Sequence, residues 1–321
     1  MHVSFVVPLY NCLPLTRAMV ASLQATISAD LDFEIILVDD ASTDGTREWL
    51  ATLAAPFRVL LNERNSGYAA TCNRGAAAAR GRILVFLNND LVLTRGWLEP
   101  MLAAHRRLGP RAGLIGNVQF NARSGLLDHS GIAFNYKGKP GHRGRLFTDF
   151  LRFAFPLRRI EALTGACFLI DRSLWDELGG FDEGYINGCE DVDLCLRAEA
   201  AGRTNAVALR SRILHHISMA PGRKDRDEAN THRFTLIWRD RLAELALPDW
   251  CRHHFETFLP EPRGYPDPDM AWQIFLFLAG LRRRPPRAAI PGVRAAIELE
   301  IARWEGMFGV GAALDGRPLR R

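Results

Sequence analysis

Strands and helices alternate along the first third of the sequence, and this alternation limits the fold more than any other feature. Continuously apolar segments such as Phe33–Asp40 and Arg82–Asp90 have the length and composition of buried strands. Segments with helical spacing, such as Leu15–Ile27, lie between them. Strands that are apolar on both faces are typical of a parallel sheet covered by helices. We therefore predict an α/β fold, in which a mostly parallel, doubly wound sheet carries helices on both faces.

Polar residues occupy the carboxyl ends of four successive predicted strands. These ends are Pro8 to Asn11, Asp39–Asp40, Asn62 to Asn65 and Asn88 to Asp90. Ligands bind beyond the carboxyl ends of strands in such sheets, so four polar ends together favour a binding site over four unrelated surface turns. The first turn, PLYNCLP, has no glycine, and the sequence has no GxxxxGK[ST] loop. Both observations argue against a dinucleotide site and against a P-loop nucleotide site.

The last of these ends interrupts an apolar run. Asn88 and Asp90 lie two residues apart, and they project to the same side if the extended conformation persists. Two oxygen-bearing side chains on one side suit a hard divalent cation that also holds phosphate oxygens. The alternative is an ordinary turn, because Asn and Asp are common in turns.

Acidic residues cluster in the stretch NGCEDVDLCLR, just before a helical pattern. Asp191 could cap that helix, with Glu190 and Asp193 favoured by its dipole. Capping does not explain the second acid beside the cap, so a general base is the other interpretation. His215 and His216 end another apolar strand and are a further hint of metal binding or proton transfer.

Seven motifs occur in an order that resembles the family 2 glycosyltransferases with the GT-A fold, close to the rhamnosyltransferase-like branch. The motifs are VVPLYN, VDDASTDGT, RNSGYAATCNRGAAAARG, FLNND, LTGACFLIDRSLWDELGGFDE, EDVDLCLRAEAAG and LHHIS. The resemblance extends over residues 3–218, about two-thirds of the chain. It implies an inverting, metal-dependent enzyme that transfers a hexose or deoxyhexose. The donor would be a UDP-, dTDP- or GDP-sugar, and the acceptor a hydroxyl group of a saccharide or lipid-linked saccharide.

The resemblance also implies a role for each matching residue. The residues implied to bind the nucleotide sugar are Pro8, Tyr10, Asp39, Asp40, Asn65, Gly67, Asn73, Asn88, Asn89 and Asp90. Asp90 matches the last acid of the DxD motif, which touches the diphosphate and a divalent metal, Mn²⁺ or Mg²⁺. Asp191 matches the catalytic base, Glu190 its partner, and His215 a histidine that can complete the metal shell. The first acid of DxD is Asn88 here, which keeps a carbonyl oxygen but removes one charge.

The formal net charge of +5 lies in the last part of the chain. From Arg282 onward, nine arginines and four acids account for all of it. We predict three regions: a nucleotide-sugar-binding half at 1–120, an acceptor-binding and catalytic half of the same domain at 121–247, and a helical, basic C-terminal extension at 248–321. In the extension, the spacing of Val293, Ile297, Ile301 and Trp304 predicts a helix. In one interpretation, that helix packs on the catalytic domain. In the other, residues from about Met270 onward, which include the apolar run MAWQIFLFLAGL and the arginines after it, attach to an anionic membrane surface.

Other features of the sequence bear on where the protein acts. No apolar run approaches the roughly 18 residues that would indicate a membrane span, and the N-terminus does not have the features of a signal peptide. Six scattered cysteines without a CxxC pair predict reduced thiols. These features predict a cytoplasmic protein, and the resemblance implies an enzyme of cell-surface polysaccharide or glycolipid assembly without a nucleic-acid partner. If the C-terminal extension attaches to the membrane, the protein would be peripheral on its inner face. The alternatives are a nucleotidyltransferase and a non-catalytic domain that binds sugar nucleotides.

Overall fold

The predicted alternation of strands and helices is present in the structure, a computed structural model that describes residues 2–142, 155–216, 226–258 and 267–308. The strands are β1 (Val3–Leu9), β2 (Phe33–Asp39), β3 (Phe57–Leu61), β4 (Ile83–Leu87), β5 (Leu91–Leu93), β6 (Ala112–Asn121), β7 (Leu127–His129), β8 (Ile132–Phe134), β9 (Pro140–His142), β10 (Leu157–Arg159), β11 (Cys167–Asp171) and β12 (Thr204–His215). The helices are α1 (Leu13–Thr26), α2 (Thr46–Leu50), α3 (Tyr68–Ala78), α4 (Leu98–Leu108), α5 (Arg172–Leu178), α6 (Glu190–Ala200), α7 (Asp227–Leu245), α8 (Leu247–Phe258), α9 (Pro268–Leu278) and α10 (Ile290–Phe308).

One large sheet contains most of the strands, and its main path runs β10-β12-β6-β11-β4-β1-β2-β3. Strand β1 pairs in parallel with β2 and with β4, β2 pairs in parallel with β3, and β6 pairs in parallel with β12. Strand β11 runs antiparallel between β4 and β6, and the short strands at the periphery also pair antiparallel. The α/β prediction is therefore confirmed, and the parallel order β3-β2-β1-β4 brings the carboxyl ends of these four strands to one edge.

The sheet core explains why the early strands are apolar throughout. Every residue of β1 and of β4 is buried, as expected for strands covered on both faces. The alanine-rich helix α3 packs directly against this sheet. A Cβ atom at Gly75 would lie 2.4 Å from Cγ1 of Val6, so glycine permits the close approach of helix and sheet.

Two compact units make up the chain. The first comprises residues 1–132 and 142–227, and the second comprises residues 133–141 and 228–321. In the second unit, α10 buries Val293, Ile297, Ile301 and Trp304, so the helix predicted from their spacing is present. None of the helices in the described ranges combines the length and the apolar character needed to cross a bilayer. The region boundaries after residues 120 and 247 stay predictions of the sequence.

Candidate active site

A cavity of about 360 Å³ lies at the carboxyl edge of the sheet in the first unit. Its volume falls within the usual range of small-molecule sites. Nine of the residues predicted for the site line it, and these are Pro8, Tyr10, Asp40, Asn65, Asn88, Asn89, Asp90, Glu190 and Asp191. The topology thus brings together side chains from segments almost 200 positions apart in the sequence.

Two consecutive carboxylates end β2, and they make different contacts. Asp40 lines the cavity, and its oxygens accept hydrogen bonds from Nδ2 of Asn62 (2.7 Å) and from the backbone N–H groups of Ser66 (2.8 Å) and Gly67 (2.9 Å). These bonds hold the segment that leads into α3 against the cavity wall.

Asp39, in contrast, is completely buried and is not among the residues that line the cavity. Its carboxylate accepts from Nε of Arg47 at 2.7 Å and from the backbone N–H of Ser42. Asp39 therefore stabilises the loop between β2 and α2, and its predicted contact with the nucleotide stays a prediction.

The acid pair lies at the start of α6. The helix begins at Glu190, with Cys189 at the N-cap position in a left-handed conformation (φ 69°), so the interpretation of Asp191 as a helix cap is wrong. Oδ2 of Asp191 accepts a hydrogen bond from the backbone N–H of Gly165 at 2.6 Å, and Oδ1 accepts one from Val192 at 2.8 Å. Both bonds orient a carboxylate that is half-buried and borders the cavity.

Glycine at position 165 leaves little room for a side chain in this arrangement. A Cβ atom there would lie 3.2 Å from Cβ of Asp191 and 3.2 Å from the hydroxyl of Tyr68. The Tyr68 hydroxyl in turn donates to the carbonyl of Gly165 at 2.7 Å. Sequence reasoning assigned no role to Gly165 or Tyr68, although the LTGAC motif contains the glycine.

A histidine and two carboxylates form a second polar group, which we call the His215 cluster (Asp90, Asp128 and His215). Nε2 of His215 lies 3.2 Å from Oδ1 of Asp90, and Nδ1 lies 3.8 Å from Oδ2 of Asp128. Burial of the ring opposes its protonation, but the two carboxylates outweigh burial and raise the pKa of His215 to about 9.

Long-range strand pairing assembles this cluster. Strand β5 pairs antiparallel with β12, which sets Leu91 opposite His215, and the backbone N–H of His216 donates to the carbonyl of Asp90 at 3.0 Å. Asp128 comes from β7, which pairs with β6. It lies in a stretch with weak periodicity, which is why sequence reasoning missed it.

The donor atoms near Asp90 fit a divalent cation completed by ligands from outside the chain. No group of three His, Cys, Asp or Glu side chains in the described ranges is arranged to hold a metal by itself. However, Oδ1 of Asn88 is buried without a hydrogen-bond partner among the described residues, and His215 lies beside Asp90. A carboxylate, an amide oxygen and an imidazole are donors that Mn²⁺ accepts, and Mg²⁺ accepts the oxygens.

Some predicted residues lie outside the cavity lining. Asn73 binds the segment after α5, because its amide donates to the carbonyl of Phe181 (3.0 Å) and to Glu183 (2.9 Å) and accepts from the N–H of Phe181. Gly67 is the N-cap of α3 with φ 85°. His215 is also absent from the lining, since its ring faces the two carboxylates. The ligand contacts predicted for these three residues stay predictions.

The sheet order, the polar strand ends and the acid pair at the start of α6 define a glycosyltransferase fold of the GT-A type. The chain belongs to glycosyl transferase family 2, whose model matches residues 4–179. This confirms the family inferred from the motifs.

Individual relatives agree with that assignment. The chain is 32% identical over 225 residues to the O-antigen biosynthesis protein RfbC of Myxococcus xanthus, and the aligned region covers 67% of this chain and 17% of that protein. It is 27% identical over 259 residues to the N-acetylglucosaminyl-diphospho-decaprenol L-rhamnosyltransferase of Mycobacterium tuberculosis, and the aligned region covers 71% of this chain and 81% of that protein.

Comparison with solved structures concerns the fold. The chain is similar to GalNAc-T7 solved with UDP, GalNAc and Mn²⁺, with a TM-score of 0.61 and 19% identity over 79% of this chain and 51% of that one. The chain spans less than half the length of several curated relatives that it matches, 28% and 17% for two of them.

Proposed function

We propose that the protein transfers a sugar, with inversion, from a nucleoside-diphosphate sugar to a hydroxyl group of a saccharide or lipid-linked saccharide. The observation that carries this proposal is that Asp40, Asp90 and Asp191 converge on one cavity in a chain of family 2. The names of the two relatives support a role in cell-surface polysaccharide or glycolipid assembly, since one refers to O-antigen and the other to a lipid-diphosphate sugar.

Asp191 is the general base in this proposal. Its carboxylate removes the proton from the acceptor hydroxyl while that oxygen forms a bond with the anomeric carbon. The bond from the anomeric carbon to the diphosphate oxygen breaks in the same step, so the nucleoside diphosphate leaves with that electron pair and the configuration inverts. The hydrogen bonds from Gly165 and Val192 hold the carboxylate in place, which lowers the entropic cost of the step.

Glu190 acts as a positioning residue beside the base. It is buried, and its Oε2 accepts a hydrogen bond from the backbone N–H of Gly188 at 2.6 Å. This bond fixes the loop 187–189, which borders the cavity before α6 begins. The nucleotide would lie against other residues of the cavity lining, namely Pro8, Tyr10 and Asn65. Asp40 also lines the cavity and accepts a hydrogen bond from the backbone N–H of Ser66.

Asp90 and His215 would hold the divalent metal, and Asn88, whose buried amide oxygen has no hydrogen-bond partner among the described residues, lines the same cavity as Asp90. When bound, Mn²⁺ or Mg²⁺ would neutralise charge on the departing diphosphate. An imidazole ligand must be neutral, so binding requires His215 to lose the proton that the two carboxylates favour.

The test is a screen of UDP-, dTDP- and GDP-sugars with Mn²⁺ or Mg²⁺, first by thermal shift and then by release of nucleoside diphosphate. We expect Asp191→Asn to retain donor binding and to lose about 10²–10⁴-fold in transfer rate, the usual cost of losing a general base. Glu199→Gln, near the other end of α6, is the matched control and should retain wild-type transfer.

Other products would point to other functions. If a nucleoside triphosphate and a sugar 1-phosphate are supplied instead, release of pyrophosphate with formation of the nucleotide sugar would indicate a nucleotidyltransferase. Donor binding without release in the presence of any acceptor would indicate a non-catalytic binding domain. Wild-type transfer by Asp191→Asn would exclude Asp191 as the base while leaving the class of reaction intact.

A further inference from the structure

Of the segments after Met270 that the sequence predicts for membrane attachment, the helix with the Val293 to Trp304 spacing has a buried apolar face. In α10, Val293 and Trp304 are completely buried, and Ile297 and Ile301 are nearly so. Their apolar stripe packs inside the second unit and is unavailable to any partner. An interaction surface in this unit must therefore be sought among the exposed apolar residues elsewhere.

Helix α9 and the turn after it expose such residues. Trp272 is 59% exposed, Phe275 39% and Leu281 76%, although Ile274 between the two aromatic residues is completely buried. The rings of Trp272 and Phe275 stack, with centroids 5.4 Å apart. Clustered large apolar side chains on a surface usually mark an interaction site.

The turn after α9 holds Leu281 in a defined position. Gly280 adopts φ 74°, and the backbone N–H groups of Leu281 and Arg282 both donate to the carbonyl of Leu276 at 2.9 Å. The chain therefore folds back on the end of the helix. Leu281 is presented by a hydrogen-bonded turn and does not belong to a loose tail.

Four arginines follow this apolar group, namely Arg282, Arg283, Arg284 and Arg287, and all are exposed. Nη1 of Arg282 donates to Oε1 of Gln273 at 2.8 Å, which holds the guanidinium against the side chain of Gln273 on α9. Within the described ranges, no carboxylate lies within ion-pair distance of these four arginines. In contrast, Arg294 pairs with Asp240, and Arg303 pairs with Glu228 and Glu300.

We propose that this surface, which we call the Trp272 surface (Trp272, Phe275, Leu281, Arg282, Arg283, Arg284 and Arg287), docks on an anionic lipid bilayer. Aromatic rings favour the boundary between headgroups and acyl chains, and arginines beside them meet anionic headgroups. Exposed aromatic residues next to arginines that have no ion-pair partner among the described residues suit the apolar and the anionic parts of that boundary. This inference goes beyond glycosyl transfer and does not depend on it.

The experiment is flotation of the full chain with vesicles of phosphatidylcholine alone or of phosphatidylcholine mixed with phosphatidylglycerol, without donor or acceptor. We expect flotation only with the anionic mixture. Arg283→Gln and Arg284→Gln should each weaken binding about fivefold, because an arginine near an anionic leaflet contributes about 1 kcal/mol. Trp272→Ala should remove the part of the binding that persists in high salt, since screening weakens only the electrostatic part.

Matched controls come from the same unit. Leu299→Ser removes another exposed leucine, 74% exposed on α10, and Arg252→Gln removes an exposed arginine of α8. Both should float like the wild type. The arginine variants change only exposed side chains, so they keep the test valid if Trp272→Ala fails to fold.

Absence of flotation with anionic vesicles would overturn the proposal, and so would equal flotation of all variants. If the protein does not bind vesicles but binds an acidic polypeptide through the same arginines, the proposal is also overturned, and the surface would instead bind a protein partner. Because no sugar donor is present, these outcomes are independent of whether the protein transfers a sugar.

Discussion

Two buried charged groups, one in each compact unit, make contacts of different kinds. His215 is 2% exposed and lies 3.2 Å and 3.8 Å from its carboxylate partners. Glu300 of α10 is 3% exposed and lies 2.7 Å from Nζ of Lys139, 2.7 Å from Arg303 and 3.1 Å from Nζ of Lys137. We call this second set the Glu300 network.

The difference shows that burial of a charge does not by itself indicate a functional site. In the Glu300 network three cations contact one carboxylate, and they lower the pKa of Glu300 to about 2 despite its burial. In the His215 cluster the separations are longer, and the buried amide oxygen of Asn88 has no hydrogen-bond partner among the described residues. The network has the contacts of a structural element, whereas the cluster includes Asp90, which also lines the cavity.

The largest expected effect is a loss of transfer activity when Asp90 of the His215 cluster is changed. Asp90→Asn removes the charge that would face the metal and diphosphate, so we expect transfer to fall about 10²–10³-fold, as when a stabilising group of the transition state is lost. The melting temperature should also fall, because Asp90 is one of the two carboxylates that stabilise protonated His215. The measurements are kcat/KM for nucleoside diphosphate release and a thermal melt, with Asp176→Asn on α5 as the control. Undiminished kcat/KM in Asp90→Asn would remove the cluster from the site.

Glu300→Gln should lower stability without lowering transfer. It removes the anion that three cations share, although Glu228 still pairs with Lys139 and Arg303, so we expect the free energy of unfolding to fall by about 2 kcal/mol, as when hydrogen bonds to a charged group are lost. Transfer at low temperature should be retained. Denaturant unfolding measures the first quantity and the release assay the second. Glu298→Gln, exposed on the same helix, is the control, and equal losses in the two variants would contradict a structural network.

The two groups should also respond to pH with opposite signs. The folded pKa of Glu300 is lowered from 4.5 to about 2, so its contribution to stability is present above pH 4.5 and is lost as the pH falls toward 2. The folded pKa of His215 is raised from 6.5 to about 9, so its contribution is present below pH 6.5 and is lost as the pH rises through 9.

Unfolding measured against pH in the presence of a chelator tests this contrast. We expect a loss of about 1.5 kcal/mol between pH 7 and 3.5 that Glu300→Gln removes, and a similar loss between pH 6 and 8 that His215→Gln removes. If both variants changed the free energy of unfolding in the same pH range, the two groups would not differ in their response to pH.

The smallest expected effect concerns Asp128, the member of the cluster farthest from the histidine. A carboxylate beside a metal-binding histidine orients its ring, and losing such a partner costs about tenfold in metal affinity. Removing Asp128 also makes it easier for His215 to lose its proton, which offsets part of this cost. We therefore expect Asp128→Asn to raise the Mn²⁺ concentration needed for activity by less than about tenfold, while kcat at saturating Mn²⁺ stays near that of the wild type. Calorimetric titration of Mn²⁺ without donor is the independent measurement. Unchanged affinity would show that Asp128 only fills space.

Local pattern determined the sheet and much of the site in advance. Continuous apolar runs of strand length, separated by segments of helical spacing, can hardly form anything except a covered parallel sheet, and such a sheet gathers the ends of its strands at one edge. Asp40 and Asp90 were therefore predictable as neighbours from the alternation alone. The order of the motifs added Asp191, which no period in the sequence would have placed there.

Only the tertiary structure decided which partners the polar side chains meet. Asp128 reaches His215 because β7 pairs with β6, and Gly165 contacts Asp191 across 26 positions of sequence. Likewise, the spacing of Val293 and Trp304 predicts an amphipathic helix but not what its apolar face contacts, and the structure buries that face while leaving Trp272 exposed. The physical reason is that the periodicity of a segment shows which of its residues share one face of a helix or strand. A contact also depends on a second segment, and the first segment does not encode where that second segment lies.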